Sequence, residues 1–221
     1  LPASRNDVVV YTHPVVTARS VIYRHKNIIC CRSLLNGEIQ WTNDIGGRVS
    51  WQSRRARQYP HDSLLVQDGL VFAPMHKVGP PLVALDEVTG QLRWAYGPAV
   101  AATEEEAKMR FEAAPAGGPR TVFAGYVLDH ITGETHTDTE YGVIAFESTT
   151  GRMRWRRELC RLPPGKFAAG FAVRHRNRIR SFSSPPLYYQ GTVYYVTNAG
   201  AIAALDALSG EVKWLARYPY Y

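Results

Sequence analysis

Residues 84–94, Ala84-Leu-Asp-Glu-Val-Thr-Gly-Gln-Leu-Arg-Trp94, are one of four similar segments that align without gaps in this chain of 221 residues. The other copies span residues 31–41, 145–155 and 204–214. In each copy a glycine stands four residues before a tryptophan, and four of the five tryptophans of the chain are used in this way. The pairs are Gly37/Trp41, Gly90/Trp94, Gly151/Trp155 and Gly210/Trp214. Internal repetition of this kind is typical of repeat architectures.

The residues of the second copy predict what each repeat forms. An apolar stretch, Leu82–Leu85, precedes a polar turn that ends in Gly90. Glycine adopts a positive φ without steric cost, as hairpin turns often require. After it, Leu92 and Trp94 alternate with polar residues, and this period of two predicts a half-buried strand with both side chains on one face. Each copy is therefore predicted to be a β-hairpin whose last strand buries a tryptophan.

Further strand-like runs precede each hairpin. They are Pro14–Thr17 and Val21–Arg24, Ser63–Val66 and Leu70–Pro74, Thr121–Leu128, and Pro186–Tyr189 and Thr192–Thr197. Four short antiparallel strands, repeated four times, predict an all-β fold, a β-propeller with about four four-stranded blades. The predicted blades span approximately 8–47, 60–97, 119–160 and 181–218, and the predicted insertions span 48–58, 98–118 and 161–180. The Ala/Glu-rich residues 101–113 predict a short helix.

The pattern Ala-Leu-Asp-x-x-Thr/Ser-Gly-x-x-x-Trp resembles the signature of the pyrrolo-quinoline-quinone (PQQ) repeat, which occurs in quinoprotein dehydrogenases, in BamB and in many bacterial PQQ-like propellers. The resemblance extends over about residues 14–214, with Asp86, Glu147 and Asp206 at the acidic position and Ser33 in the first copy. It implies that each tryptophan docks on the neighbouring blade. Members usually have seven or eight blades, so we expect four blades to be about half of a ring cut from a longer chain. A closed four-bladed ring is the alternative.

The net charge of +7 arises locally, because residues 152–180 carry ten Lys or Arg and one Glu. Every second position from 174 to 180 is an arginine: Arg174, Arg176, Arg178 and Arg180. In an extended segment these guanidinium groups would form a row suited to carboxylates or phosphates. The row predicts docking to an acidic protein partner, an anionic membrane or a glycan, with a solvated basic loop as the alternative. A nucleic-acid site would usually add stacking aromatic residues, so no specific nucleic acid is predicted.

Two other features invite a functional interpretation. Cys30 and Cys31 are adjacent, as in the vicinal disulfide of quinoprotein alcohol dehydrogenases, but strand alternation favours two small buried side chains on opposite faces. Within residues 129–140, four side chains could collect on one loop as metal ligands: His130, Glu134, His136 and Asp138. Two histidines six residues apart are not a standard zinc spacing. The segment is therefore predicted as two strand ends joined by a turn at Thr132-Gly133, with solvated polar side chains.

No stretch matches the PQQ and calcium ligands of the family, and none forms a phosphate-binding loop or a nucleophile elbow. No catalytic, metal or cofactor residue is predicted. The longest apolar runs have four or five residues, against the roughly 20 that a membrane-spanning helix needs, so no integral membrane domain is predicted.

The sequence favours a non-catalytic scaffold of the bacterial cell envelope that binds a protein or an acidic surface through its loops. Its periplasmic or extracellular location is implied by the resemblance. An alternative is part of a quinoprotein dehydrogenase that uses PQQ and calcium to oxidise alcohols or sugars. A third hypothesis is a sensor module fused to a kinase or another domain.

Overall fold

The computed structural model describes residues 13–25, 28–45, 63–74, 82–97, 109–111, 113–132, 135–162, 184–197 and 199–218. These residues form seventeen strands in four antiparallel sheets. No helix long and apolar enough to cross a membrane occurs among them.

In each sheet, four strands consecutive in the chain form a meander, and the third sheet has one further short strand outside this path. The first sheet contains β1 (Val15–Val16), β2 (Ser20–His25), β3 (Ile28–Ser33) and β4 (Ile39–Asp44). The second contains β5 (Leu65–Gln67), β6 (Leu70–Pro74), β7 (Leu82–Asp86) and β8 (Leu92–Tyr96). The third contains β9 (Arg110–Phe111), β10 (Ala116–Gly118), β11 (Thr121–Thr132), β12 (Thr135–Glu147) and β13 (Met153–Leu162). The fourth contains β14 (Leu187–Tyr189), β15 (Thr192–Val196), β16 (Ala201–Asp206) and β17 (Val212–Arg217).

The sheets stack face to face as blades of a β-propeller, with their first strands innermost. β10 contacts both β5 and β14, so the first strands of three sheets converge. A core of buried apolar side chains fills each gap between consecutive sheets. The prediction of an all-β propeller with four four-stranded blades is confirmed.

In the structure, each tryptophan of the first three repeats lies on the glycine of the next sheet. The indole Nε1 of Trp94 donates a hydrogen bond to the carbonyl of Ser148 at 2.8 Å, three residues before Gly151. A Cβ added to Gly151 would lie 2.5 Å from the Trp94 ring. The same two contacts join Trp41 to Glu87 and Gly90, and Trp155 to Ala207 and Gly210. We call this pair of contacts, tryptophan on glycine and indole N–H to carbonyl, the junction. The same junction therefore joins all three pairs of consecutive sheets.

A β-bulge precedes the tryptophan in every hairpin. In the second sheet, Trp94 pairs with Ala84 but Leu92 pairs with Leu85, so Arg93 is the extra residue. The other three sheets have the same register shift. Leu92 is 57% exposed although Trp94 is buried. The prediction that both side chains share a buried face is wrong, because the inserted residue breaks the alternation of the strand.

The bulged residue turns towards the acidic position of the repeat. Asp86 Oδ1 accepts hydrogen bonds from the backbone N–H groups of Thr89 and Val88, and its Oδ2 lies 2.8 Å from Arg93 Nη2. The turn N–H of Thr89 and then Arg93 lower the pKa of Asp86 to about 2. Two further pairs follow the same plan in the third and fourth sheets: Glu147 with Arg154 at 3.6 Å, and Asp206 with Lys213 at 3.5 Å.

The third sheet begins inside the segment 98–118 that the sequence assigned to an insertion. β10 forms its inner strand, and β9 pairs with Tyr126–Val127 of β11. Residues 101–108 of the predicted helix lie outside the described residues, while Arg110–Phe111 is a strand and not a helix. The reason is tertiary, since Phe111 is fully buried against sheets two and three.

Candidate functional site

The third sheet is longer than the others at one end. Its strands β11, β12 and β13 have 12, 13 and 10 residues, whereas the second to fourth strands of the other sheets have five or six. We call the added part the extension: residues 126–132, 135–142 and 158–162. In an antiparallel meander the connections after the second and fourth strands leave at the same end. The extension therefore lies at the end where the connections between the sheets leave.

A buried carboxylate ties the three strands of the extension together. Glu140 on β12 is only 2% exposed. Its Oε1 accepts hydrogen bonds from the Tyr126 hydroxyl on β11 and from Arg156 Nη2 on β13, the latter at 2.6 Å. Its Oε2 lies 2.9 Å from His130 Nε2 and 3.2 Å from Arg161 Nη2. Each oxygen of the Glu140 carboxylate therefore has one partner on β11 and one on β13. We call these five residues the Glu140 network.

Strand register explains why these side chains meet. Leu128 pairs with Glu140 and His130 pairs with Asp138, so alternate residues of β11 and β12 point to the same face. Gly142 leaves the space that Tyr126 needs, because a Cβ at residue 142 would lie 2.5 Å from the phenol. The Arg156 guanidinium carbon lies 5.1 Å from the centre of the Tyr126 ring, within reach of a cation–π contact.

The contacts within the network set the protonation state of its members. Burial alone would raise the pKa of Glu140, but hydrogen bonds from Tyr126, Arg156 and His130 outweigh it and hold that pKa below its usual value. Burial, followed by the adjoining Glu140 carboxylate, raises the pKa of Tyr126. Near neutral pH, Glu140 is therefore an anion, Tyr126 a neutral donor and Arg156 a cation.

Further ion pairs surround this centre. Arg161 also pairs with Glu158 at 2.8 Å and with Asp138 at 3.6 Å. Arg110 Nη1 on β9 donates to Asp129 Oδ2, and the Thr139 hydroxyl donates to Asp129 Oδ1 at 2.9 Å. The second set joins β9, β11 and β12, so polar contacts also connect β9 to the extension.

This arrangement is suited to holding strands and not to proton transfer. A general base needs a lone pair directed at a substrate and a pKa near the working pH. Glu140 instead receives four donors and has a lowered pKa. Such a satisfied buried network rigidifies the element that contains it.

The structure partly corrects the sequence-based view of residues 129–140. Two strand ends do meet at this point. The expectation of solvated side chains is wrong for Glu140 and for His130, whose side chain is 14% exposed, because three strands stack their polar groups against one another. The side chains of Glu134 and His136 lie outside the described residues, and the described residues contain no group of three His, Cys, Asp or Glu spaced to hold a metal. The alternation of threonine with His136, Asp138 and Glu140 along β12 was the available signal.

The two adjacent cysteines lie on opposite faces of β3. Cys31 is fully buried in the core between the first two sheets, and Cys30 is half-buried on the other face. Both are free thiols, and burial raises the pKa of Cys31. The structure therefore agrees with the expected opposite faces and with a core position for Cys31, whereas Cys30 is only half-buried and lies outside the cores.

The row formed by Arg174, Arg176, Arg178 and Arg180 lies outside the described residues. It belongs to the connection between β13 and β14. β13 ends at Leu162, which pairs with Thr139 in the extension. The connection that carries the row therefore starts beside the Glu140 network.

The residues of the inner strands show whether this part of the propeller could hold PQQ and calcium. The described inner strands are β1, β5, β10 and β14, with the sequences VV, LVQ, AGG and LYY. Calcium binds through several oxygen ligands, with carboxylates prominent among them. None of these four strands carries a carboxylate, and the Gln67 amide donates to the carbonyl of Gly118 at 2.6 Å. The described part of the inner wall does not fit a PQQ–calcium site.

A family model described as outer membrane protein assembly factor BamB matches residues 82–219, more than half of the chain. The chain belongs to this family. The predicted membership in the BamB-like, PQQ-repeat propellers is thereby confirmed, and the match covers the third and fourth sheets and the last two strands of the second. No protein in a curated set matches the chain.

Solved structures with this fold include propeller dehydrogenases. Quinohemoprotein alcohol dehydrogenase from Pseudomonas putida HK5 is 19% identical, with a TM-score of 0.62, and the match covers 95% of this chain and 34% of that one. The corresponding enzyme from Comamonas testosteroni is 17% identical, with a TM-score of 0.62 and coverages of 95% and 35%. A europium-containing methanol dehydrogenase is 15% identical, with a TM-score of 0.60 and coverages of 92% and 41%. This BamB-like chain thus shares their fold over about a third to two fifths of their length.

Proposed function

We propose that this chain is a non-catalytic PQQ-like propeller that serves as a protein-binding scaffold in the bacterial cell envelope, in the periplasm or outside the cell. The observation that carries the proposal is the extension of the third sheet, held by the Glu140 network at the end where the connections leave. The family description, an outer membrane protein assembly factor, supports a role in binding other proteins.

The extension would supply a preorganised docking element. A rigid projecting sheet loses little conformational entropy when a partner binds, which favours affinity. Its ionic groups satisfy one another, so recognition would come from its outer surface and from the connections beside it. The connection with Arg174, Arg176, Arg178 and Arg180 would add a row of cations for an acidic segment of the partner.

The first experiment measures binding to a fluorescent oligo-glutamate peptide by anisotropy. We expect the wild type to bind with an affinity that falls as salt rises, and Arg174→Glu/Arg176→Glu/Arg178→Glu to bind at least about tenfold more weakly. The matched control is Arg19→Glu/Arg152→Glu/Arg217→Glu, which changes the net charge equally at exposed sites. Equal losses in both triple variants would contradict a specific role for the row.

A second experiment addresses the dehydrogenase alternative. Saturating PQQ with Ca²⁺ is expected to leave the melting temperature unchanged and to produce no bound-quinone absorption band. A ligand that binds only the folded state would raise the melting temperature. A rise together with the absorption band would overturn the non-catalytic assignment.

A further inference from the structure

The hairpins between the third and fourth strands present apolar side chains to solvent. Two residues before the repeat glycine, the first, second and fourth hairpins carry Leu35, Val88 and Leu208, which are 95%, 79% and 80% exposed. We call these three side chains the tip residues. In a meander, such hairpins and the turns after the first strands lie at the end opposite the extension. We call this end the turn end.

The exposure of a tip residue does not depend on how many sheets surround it. The indole of Trp41 on β4 bonds the carbonyl of Glu87, which directly precedes Val88, so successive hairpins lie side by side. The second sheet has an apolar core on each of its faces, and Val88 is exposed nevertheless. The residue two after the repeat glycine is also exposed in every hairpin: Ile39, Leu92, Met153 and Val212. Each hairpin therefore adds apolar surface to the turn end.

Each tip residue is held in a fixed backbone conformation. Its N–H donates a hydrogen bond to a side-chain oxygen of the residue two positions before it. The three bonds are Leu35 to Ser33 Oγ at 3.2 Å, Val88 to Asp86 Oδ1 at 3.0 Å and Leu208 to Asp206 Oδ1 at 3.0 Å. A side chain presented in this way loses little conformational entropy of the backbone when it binds.

The ionic side chains of the turn end direct their cations outward. Asp86 is 16% exposed and its partner Arg93 is 60% exposed, while Arg120, in the turn after β10, is 77% exposed. The turn end comprises residues 17–20, 32–39, 67–69, 86–93, 118–121, 147–154, 189–192 and 206–213. Its exposed ionic side chains are six cations, Arg19, Arg93, Arg120, Arg152, Arg154 and Lys213, and three acids, Glu38, Asp68 and Glu211. The outward charge of the turn end is therefore positive.

We propose that the turn end docks on the surface of an anionic lipid bilayer. The tip residues would enter the boundary between headgroups and acyl chains, and the exposed cations would contact the lipid phosphates. Peripheral membrane binding of this kind depends on buried apolar area and on attraction to anionic lipids together. The proposal goes beyond the proposed function and stands independently of it.

The arrangement of the tip residues favours a bilayer over a protein partner. Each tip residue protrudes from its own hairpin, and packed sheets lie about 10 Å apart. A protein interface has a contiguous, well-packed apolar core. Separated, protruding side chains would satisfy that requirement only if the partner offered a pocket for each of them. Lipid chains are fluid and accommodate each side chain where it lies.

Docking in this way would also orient the molecule. The extension lies at the opposite end of the stack, and the connection after β13 starts there. With the turn end on the bilayer, both would face the aqueous side and would stay accessible to a protein partner.

The test is cosedimentation of the 221-residue chain with vesicles of phosphatidylcholine containing about 30 mol% phosphatidylglycerol. We expect the wild type to sediment with them, and to do so less at high salt or with pure phosphatidylcholine. Leu35→Ser/Val88→Ser/Leu208→Ser is expected to bind at least about tenfold more weakly. The matched control is Ile28→Ser/Leu187→Ser/Leu215→Ser, which removes three exposed side chains outside the turn end and is expected to bind like the wild type. Circular dichroism melting verifies that each variant folds.

The third hairpin allows a test by gain of binding. Its residue at the tip position is Thr149, which is exposed and polar. Thr149→Leu is expected to strengthen vesicle binding at least about twofold, because it adds a fourth apolar tip. Unchanged or weaker binding of this variant would contradict the role of the tips.

Amide hydrogen exchange locates the contact. On addition of the vesicles, exchange is expected to slow in residues 33–39, 86–92 and 206–212 and to stay unchanged in the extension. Slower exchange in the extension alone would overturn the proposal, as would a tip variant that sediments like the wild type. A wild type that stays in the supernatant would also overturn it and would leave the tip residues to a protein partner.

Discussion

In the second, third and fourth copies of the repeat, the glycine meets two separate requirements. Gly151 has a φ of +71°, a region that residues with a Cβ occupy at a cost. It also lies under the Trp94 indole, where an added Cβ would be 2.5 Å from the ring. Asparagine would tolerate the first requirement, but no residue with a Cβ satisfies the second. Glycine is therefore required at this position both by the turn and by the contact with the neighbouring blade.

Gly151→Ala and Gly69→Ala separate the two requirements. Both residues have a φ near +70°, but nothing lies within 4 Å of the added Cβ at Gly69. We expect Gly69→Ala to lower the free energy of unfolding by about 1 kcal/mol, from backbone strain alone. Gly151→Ala is expected to cost about 2 to 4 kcal/mol, because it also displaces the Trp94 ring. Urea denaturation measures both, and equal losses would contradict the packing argument.

At the scale of the element, the extension shows how a polar cluster stabilises a sheet outside the apolar cores. The four donors to Glu140 come from β11 and β13, on both sides of β12. Removing one partner of a buried pair costs more than the pair itself contributes, because the remaining charge stays buried without compensation. The network therefore makes the extension rigid but sensitive to single substitutions.

Glu140→Gln keeps the shape of the side chain and removes its charge. We expect it to lower the free energy of unfolding by about 2 kcal/mol at pH 7, less than for a fully buried pair because the arginine partners are partly exposed. The control, Glu158→Gln, removes a carboxylate that is 43% exposed and is expected to cost less than about 1 kcal/mol. Amide hydrogen exchange should locate faster opening in β11 and β12. Unchanged exchange there would contradict the role of the network.

The pH dependence follows from the sign of the pKa shift. The folded-state pKa of Glu140 is lowered, so its stabilisation is present above the usual carboxyl value of 4.5 and is lost as the pH falls towards the folded-state pKa. The difference in unfolding free energy between wild type and Glu140→Gln should be constant from about pH 6 to 7 and shrink below about pH 4.5. Denaturation series at several pH values measure it. If the difference in unfolding free energy instead grew as the pH fell, the pKa of Glu140 would be raised in the folded state and not lowered.

At the scale of the whole molecule, the described sheets form a stack in which consecutive sheets share three apolar cores. The stability of such an array is approximately a sum of sheet and junction contributions. Three junctions are made within the chain, and the fourth tryptophan is left exposed. The same residue type therefore has a different energetic role according to its position in the stack.

Trp94→Ala and Trp214→Ala measure this difference. Trp94 is 9% exposed and lies in the core between the second and third sheets, so its truncation is expected to cost about 3 to 5 kcal/mol. Trp214 is 45% exposed, and its truncation is expected to cost about 1 kcal/mol or less. Chemical denaturation at low protein concentration is the measurement. Equal costs would show that Trp214 is already docked within the chain.

Much of the fold was predictable because the same sequence pattern occurs four times along the chain. A glycine four residues before a tryptophan places the turn, and the apolar stretch before it places the third strand. The bulge was not predictable from alternation, since the position of Arg93 depends on how β8 pairs with β7. The Glu140 network was missed for a related reason. Its members are separated by up to 35 residues, from Tyr126 to Arg161, and only the register of three strands brings them together.

The amino-acid order alone determined the four hairpins, the all-β class and the PQQ-repeat family, because these depend on local turn chemistry and on a period repeated along the chain. Only the tertiary structure decided which polar residues are buried, where the alternation of each strand breaks, and which end of the stack carries an uncovered indole. These properties depend on contacts between residues distant in the chain. Burial and pKa at one position are then set by what the neighbouring strand or blade places against it.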